Sequence, residues 1–122
     1  MVTEELQSTI LTGIGRLQDA SREHEKACHE LGEATHAYRQ AKANAQIDIR
    51  ALGEKKTEAH VAAMVDLKTD RQMYRVRIAE GTKEAAYQLV LSIRTEISAV
   101  QSLIRNNIEE AAATRYGQTA GA

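Results

Sequence analysis

An all-α protein follows from three features of this sequence. Its 122 residues contain no proline, where average usage would supply about six. Proline ends helices because it lacks an N–H and clashes with the preceding turn, so two very long stretches are left uninterrupted. Apolar residues recur in those stretches at alternating spacings of three and four, the helical period. The chain has no Phe or Trp and only four Tyr. Its apolar content is mainly Ala, Ile, Leu and Val, which suits thin helix–helix seams rather than a thick globular core filled by aromatics. The expected architecture is a long antiparallel helical hairpin or coiled coil, a single domain over 1–122, oligomerising through its C-terminal helix.

The first helical region is expected over 3–52. Ile14, Leu17, Ser21, His24, Cys28, Leu31, Thr35, Tyr38, Lys42, Ala45, Ile49 and Leu52 keep 3-4 spacing without a skip, a heptad seam diluted by polar members. Beside it runs a stripe of small residues, Ala27, Ala34 and Ala41, interleaved with Leu31, Tyr38 and Ala45, which suits close pairing of two backbones. Gly13, Gly15 and Gly32 oppose the helix, each by about 1 kcal/mol relative to Ala. The Gly13–Gly15 pair can set a short N-terminal helix apart from the long one.

The main turn is expected at 53–57. Gly53 suits the left-handed position that closes a helix, and Thr57 can cap the next one, with Glu58 at its positive end. A second helical region follows over 58–114, with Gly81 as a point of bending or division. Its later part carries one broad apolar face of Leu89, Ile93, Ile97, Val100, Ile104 and Ile108. A stripe this wide must be buried, and these six residues are the expected oligomerisation surface. Residues 115–122 read as a frayed tail. At 1.5 Å per residue the two regions would measure about 75 and 85 Å, and a lone hairpin of that length has a poor core.

Composition narrows the function. The net charge of −1 gives no overall field toward nucleic acid or membrane, and one cysteine excludes an intrachain disulfide and points to a reducing compartment. No apolar run approaches the roughly 20 residues of a membrane span, and the acidic Met1-Val2-Thr3-Glu4-Glu5 start lacks the basic head of a secretion signal. A cytoplasmic protein is expected, with no membrane partner. There is no glycine-rich phosphate loop, nucleophile elbow or Cys-x-x-Cys. His24 and Cys28 sit four apart, but two ligands make no metal site, and Asp66 and Asp70 read as ordinary mixed-charge helix pairing. No enzyme, metal or cofactor is expected.

Charge along the chain is uneven. Residues 1–33 and 57–70 are acidic. Residues 34–56 carry Arg39, Lys42, Arg50, Lys55 and Lys56 against Asp48 and Glu54, and residues 71–94 carry Arg71, Arg75, Arg77, Lys83 and Arg94 against Glu80 and Glu84. Across a turn at Gly53, Arg39, Lys42 and Arg50 would approach Arg71, Arg75 and Arg77, with Lys55 and Lys56 at the tip. These eight residues are the candidate DNA-contacting set. Tyr38 and Tyr74 fall in the same zone, where a ring can stack on an exposed base.

Lys42-Ala43-Asn44-Ala45 resembles the short Lys-Ala-Arg-Leu motif of the UvsY-type phage recombination mediators. Leu67-Lys68-Thr69-Asp70 is similar to a Leu-Lys-x-Asp stretch of that family, and Ile97, Val100 and Gln101 fall where it has an Ile-x-x-Ile-Gln pattern. The resemblance covers roughly residues 36–110. It departs from the family at Asn44 and Ala45, where the motif has arginine and leucine, and in lacking tryptophan and phenylalanine in the second helix. A role for that arginine would be absent here or carried by Arg39 or Arg50. The resemblance implies a non-enzymatic protein that forms a homo-oligomer through C-terminal helices and binds single-stranded DNA. It also implies contacts with a recombinase and a single-strand-binding protein, the former being loaded in place of the latter, in the cytoplasm of a bacterial host.

The competing expectation is a coiled-coil structural, scaffold or adaptor protein that binds no nucleic acid. It rests on the near-neutral net charge and the acidic N-terminus. A secreted helical hairpin of the Trp-x-Gly type is disfavoured, because Ala51-Leu52-Gly53 stands where that turn is required.

Overall fold

The computed structural model describes residues 3–53 and 55–120, and all its regular elements are α-helices: α1 (Thr3–Ala51), α2 (Glu58–Lys68) and α3 (Asp70–Ala120). The protein is all-α, with no strand among the described residues. Helix α1 passes through Gly13, Gly15 and Gly32 without a break, and α3 passes through Gly81. The local cost of each glycine is outweighed by the packing that holds the long helices, since tertiary contact rather than propensity supplies most helix stability. Helix α3 also runs on to Ala120, past the point at 115 where the sequence suggested a tail. Residues 121–122 of that tail lie outside the described residues.

The ends of the helices follow from local chemistry. Gly53 stands at φ 70, a conformation that side-chain-bearing residues avoid, and its N–H donates to the Arg50 carbonyl at 3.2 Å. Thr57 is extended (φ −67, ψ 154), and its hydroxyl accepts the His60 N–H at 3.2 Å, satisfying one of the orphan donors of the first turn of α2.

The second helical region is divided at Thr69, not at Gly81. Thr69 is 2% exposed, with φ −108 and ψ 9. Its N–H donates to the Val65 carbonyl at 3.0 Å, and its hydroxyl donates to the same oxygen at 2.7 Å. A threonine hydroxyl bonded back four residues competes with the ladder and bends it. The Thr69 carbonyl still accepts the Met73 N–H at 3.0 Å, so helical register carries from α2 into α3.

The chain forms two compact units. In the first, α1 up to Arg22 packs on α3 from Tyr87 onward. Its core is Ala20, Val90 and Ile93, with Leu17 and Ile97 packed against it. Leu6 is 1% exposed, and Gly13 is also buried. Arg16 and Glu96 pair at 3.0 Å on the surface.

The second unit is Glu23–Ala86. Its core is Ala45, Ile49, Val61 and Val65, with Met64 against it. Ala27 and Val76 are buried as well. Of the buried apolar residues in the two units, only Leu6, Ile49 and Ile93 are large, and the rest are Ala and Val. Fully burying a large aliphatic side chain contributes about 1.5–3 kcal/mol, so each unit depends heavily on one or two such residues.

The burial pattern in α1 corrects the expected seam at Ile14, Lys42 and Leu52, which are exposed, while Ser21, Cys28 and Thr35 are half-buried and Ile49 is buried. Leu17, His24, Leu31, Tyr38 and Ala45 are buried or half-buried, as the 3-4 spacing requires. The alternate positions are Gly13, Ala20, Ala27, Ala34 and Ala41, of which the first three are fully buried. Ile14 is 42% exposed and Lys42 is exposed. The small stripe is therefore the more deeply buried part of the seam over 13–27. Small side chains let the facing helix come close, and closeness is what buries them.

Candidate functional site

All eight candidate DNA-contacting residues belong to the unit Glu23–Ala86. Helix α1 carries Arg39, Lys42 and Arg50, the turn carries Lys55 and Lys56, and α3 carries Arg71, Arg75 and Arg77. Seven of them are exposed, and Lys56 is half-buried. Long side chains on helix surfaces normally keep their charged heads in water, so exposure alone assigns no ligand.

Their surroundings separate them. The Arg50 guanidinium lies 3.7 Å from the Glu58 carboxylate. The Lys56 ammonium donates toward the Met64 sulfur at 3.4 Å, which lays its stem along the edge of the core. Arg75 lines a groove of about 290 Å³ with Glu30, Glu33, Ala34, Ala37 and Gln72. An arginine beside two glutamates is not a surface prepared for phosphate. Arg39, Lys42, Lys55, Arg71, Arg75 and Arg77 make no ion pair among the described residues. The unit as a whole holds eleven basic and eleven acidic residues, so no net field supports the basic side chains.

Tyr38 and Tyr74 also part company. Tyr38 is half-buried in the α1 seam, whereas Tyr74 is 64% exposed. Of these two, Tyr74 is the one open to a base or to another protein.

The six residues of the expected oligomerisation face differ in burial. Ile93 is buried in the core of its own unit, and Ile97 packs against that core. Val100 and Ile104 are half-buried. Leu89 and Ile108 are 49% and 59% exposed. The face is used largely within the chain, and only its margins remain open.

No family model matches this chain, and no curated protein or solved structure matches it.

Other chemistry is sparse. Cys28 Sγ and His24 Nε2 approach to 3.6 Å, an i, i+4 contact on α1. Among the described residues no group of three or more His, Cys, Asp or Glu side chains is placed to hold a metal ion. No described helix is long and apolar enough to cross a membrane. A second groove, of about 200 Å³, lies in the other unit beside Gly13, with Ser8, Thr9, Thr12, Arg16, Glu96, Ile97 and Val100 around it. Its polar groups are hydroxyls and one exposed ion pair, with no acid–base or nucleophile–base arrangement.

Each unit also exposes large apolar side chains that the sequence did not single out as a face. Leu67, Tyr74 and Ile78 are 80%, 64% and 52% exposed, and Leu11 and Leu103 of the other unit are 70% and 51% exposed. The signal was present in the spacing: Tyr74, Ile78, Gly81 and Ala85 keep a 4-3-4 pattern that contains no charge. It was masked by Met73, Val76 and Ala79, which compete for the same stretch.

Proposed function

We propose that the protein is an assembly protein of the coiled-coil kind, which acts by presenting helix faces to other helices. The observation that carries this reading is the distribution of apolar side chains. The inward seams are built mainly from Ala and Val, while large residues such as Leu67, Tyr74, Ile78 and Leu103 stand in solvent. Exposed apolar surface of this kind marks interaction sites. The basic residues fit the same reading, since Arg50 lies beside Glu58 and Arg75 beside Glu30 and Glu33.

An antiparallel coiled-coil pairing of α1 with the later helices is part of this proposal. Support comes from the order of contacts inside one unit: Gly13 meets Ile97, Arg16 meets Glu96, and Ala20 meets Val90 and Ile93, so α1 advances as α3 recedes. The test is the mass of the native protein by light scattering, measured beside its affinity for a single-stranded oligonucleotide. Assembly with negligible oligonucleotide binding supports the proposal, and a folded monomer refutes it.

One observation favours a second reading, a single-stranded-DNA-binding recombination mediator as the resemblance implies. Arg39, Lys42, Arg71 and Arg77 are exposed without ion pairs among the described residues, in the same unit as the open ring of Tyr74. Phosphate binding by such residues falls steeply with salt. A Lys42→Ala, Arg71→Ala, Arg77→Ala variant of unchanged mass and reduced affinity would favour this reading over the first.

A further inference from the structure

We propose that a second copy of this chain docks antiparallel on the exposed face of α3 formed by Tyr74, Ile78, Gly81 and Ala85. The proposal rests on the assembly reading above and gives that reading a surface and a partner. All four residues lie in the unit Glu23–Ala86, and all four are exposed. Their 4-3-4 spacing puts them on one side of the helix. The buried or half-buried residues of the same stretch, Val76, Ala79, Lys83 and Ala86, fall on the other side.

The sizes of the four residues specify the partner. Read along the helix they run large, large, small, small. A copy turned end for end about the point between Ala79 and Glu80 places its Gly81 under Ile78 and its Ala85 under Tyr74. Two-fold symmetry then repeats both contacts. A parallel copy in register would set Tyr74 on Tyr74 and Ile78 on Ile78, leaving the small residues apart. Gly81 has room for the incoming side chain, because nothing lies within 4 Å of a Cβ placed there. None of the four positions is charged, so closing the contact strands no ion.

Leu67, about two turns before Tyr74 and 80% exposed, extends the apolar surface at its α2 end.

The experiment compares the native protein with two variants by sedimentation or light scattering, with thermal melting to monitor folding. Gly81→Gln replaces a poor helix former with a good one, and its Cβ has nothing of its own chain within 4 Å. Its melting temperature should hold or rise while its mass falls toward the monomer value of 13.5 kDa. The exchange variant, Ile78→Ala with Gly81→Ile, restores large against small and should regain the native mass. If Gly81→Gln keeps the native mass, this face is not the interface, although the assembly reading stands. If the exchange variant stays monomeric, the antiparallel pairing is overturned. A native protein at 13.5 kDa throughout the concentration range overturns the docking face and the assembly reading together.

Discussion

The Cγ1 of Ile97 lies 2.9 Å from the point where a Cβ on Gly13 would stand. Real side chains do not come so close, so α3 has taken the space that any other residue at 13 would occupy. Gly13 is retained in the middle of a helix because the facing isoleucine fills its missing side chain.

Glycine-to-alanine substitutions should therefore diverge along the chain. At Gly32 nothing lies within 4 Å of an added Cβ, so Gly32→Ala should stabilise by about 0.4–1 kcal/mol through the unfolded state. Gly13→Ala gains the same backbone term but must displace Ile97, and its melting temperature should fall below that of the native protein. Equal increases at both positions would show that Ile97 yields freely.

The same contact explains what could be read from the sequence. The all-α class was legible, because the absence of proline and the 3-4 recurrence are properties of the chain alone. Half of the α1 seam was legible too, through Leu17, Leu31, Tyr38 and Ala45. Of the alternate positions Ser21, Cys28, Thr35 and Ile49 are also at least half-buried, and the stripe Ala27, Ala34 and Ala41 was legible as a close-packing face, but its extension to Gly13 and Ala20 was not, and Ile14 and Lys42 are exposed. Which residue is buried depends on how near the opposing helix comes, and that distance is set by the partner. Thr69 was illegible for a similar reason, since its break depends on a hydroxyl turning back to the Val65 carbonyl. For the candidate site, charge segments located the basic residues, but the glutamates beside Arg75 come from residues 30 and 33, far away in sequence.

Truncation of the large core residues should be costly in both units. Ile49 is 2% exposed and Ile93 is 3% exposed. Ile49→Ala or Ile93→Ala should each destabilise by about 2–4 kcal/mol in denaturant titration. Leu103→Ala, at a residue 51% exposed, should stay within about 0.5 kcal/mol. Comparable losses at Leu103 and Ile93 would mean that the exposed residue is covered in solution.

The α2 cap is separable from packing. Thr57→Ala removes the acceptor of the His60 N–H and should cost about 1 kcal/mol, while Thr57→Asp should restore most of it. Amide hydrogen exchange should show faster exchange confined to the first turn of α2 in the alanine variant. Loss of protection throughout α1 instead would indicate that the cap nucleates the whole unit.

The surface pair Arg16–Glu96 should contribute little. Its side chains are 53% and 57% exposed. A double-mutant cycle should give about 0.2–1 kcal/mol, declining as salt is added. A coupling that persists in molar salt would place the pair in a drier setting than its exposure indicates.

Nucleic-acid binding has a quantitative signature of its own. If Arg39, Lys42, Arg71 and Arg77 contact phosphates, replacing each by Gln should reduce the slope of log affinity against log salt by about 0.7 for single strands. Unchanged slopes across the four variants would leave these residues as solvated helix faces.

The central claim is that thin Ala–Val seams hold the chain together while its outward apolar faces join it to other helices. Light scattering of the native protein, with circular dichroism on the same sample, tests that claim most directly. The account predicts a helical protein whose mass is a multiple of 13.5 kDa. A fully helical, cooperatively melting particle of 13.5 kDa would contradict it.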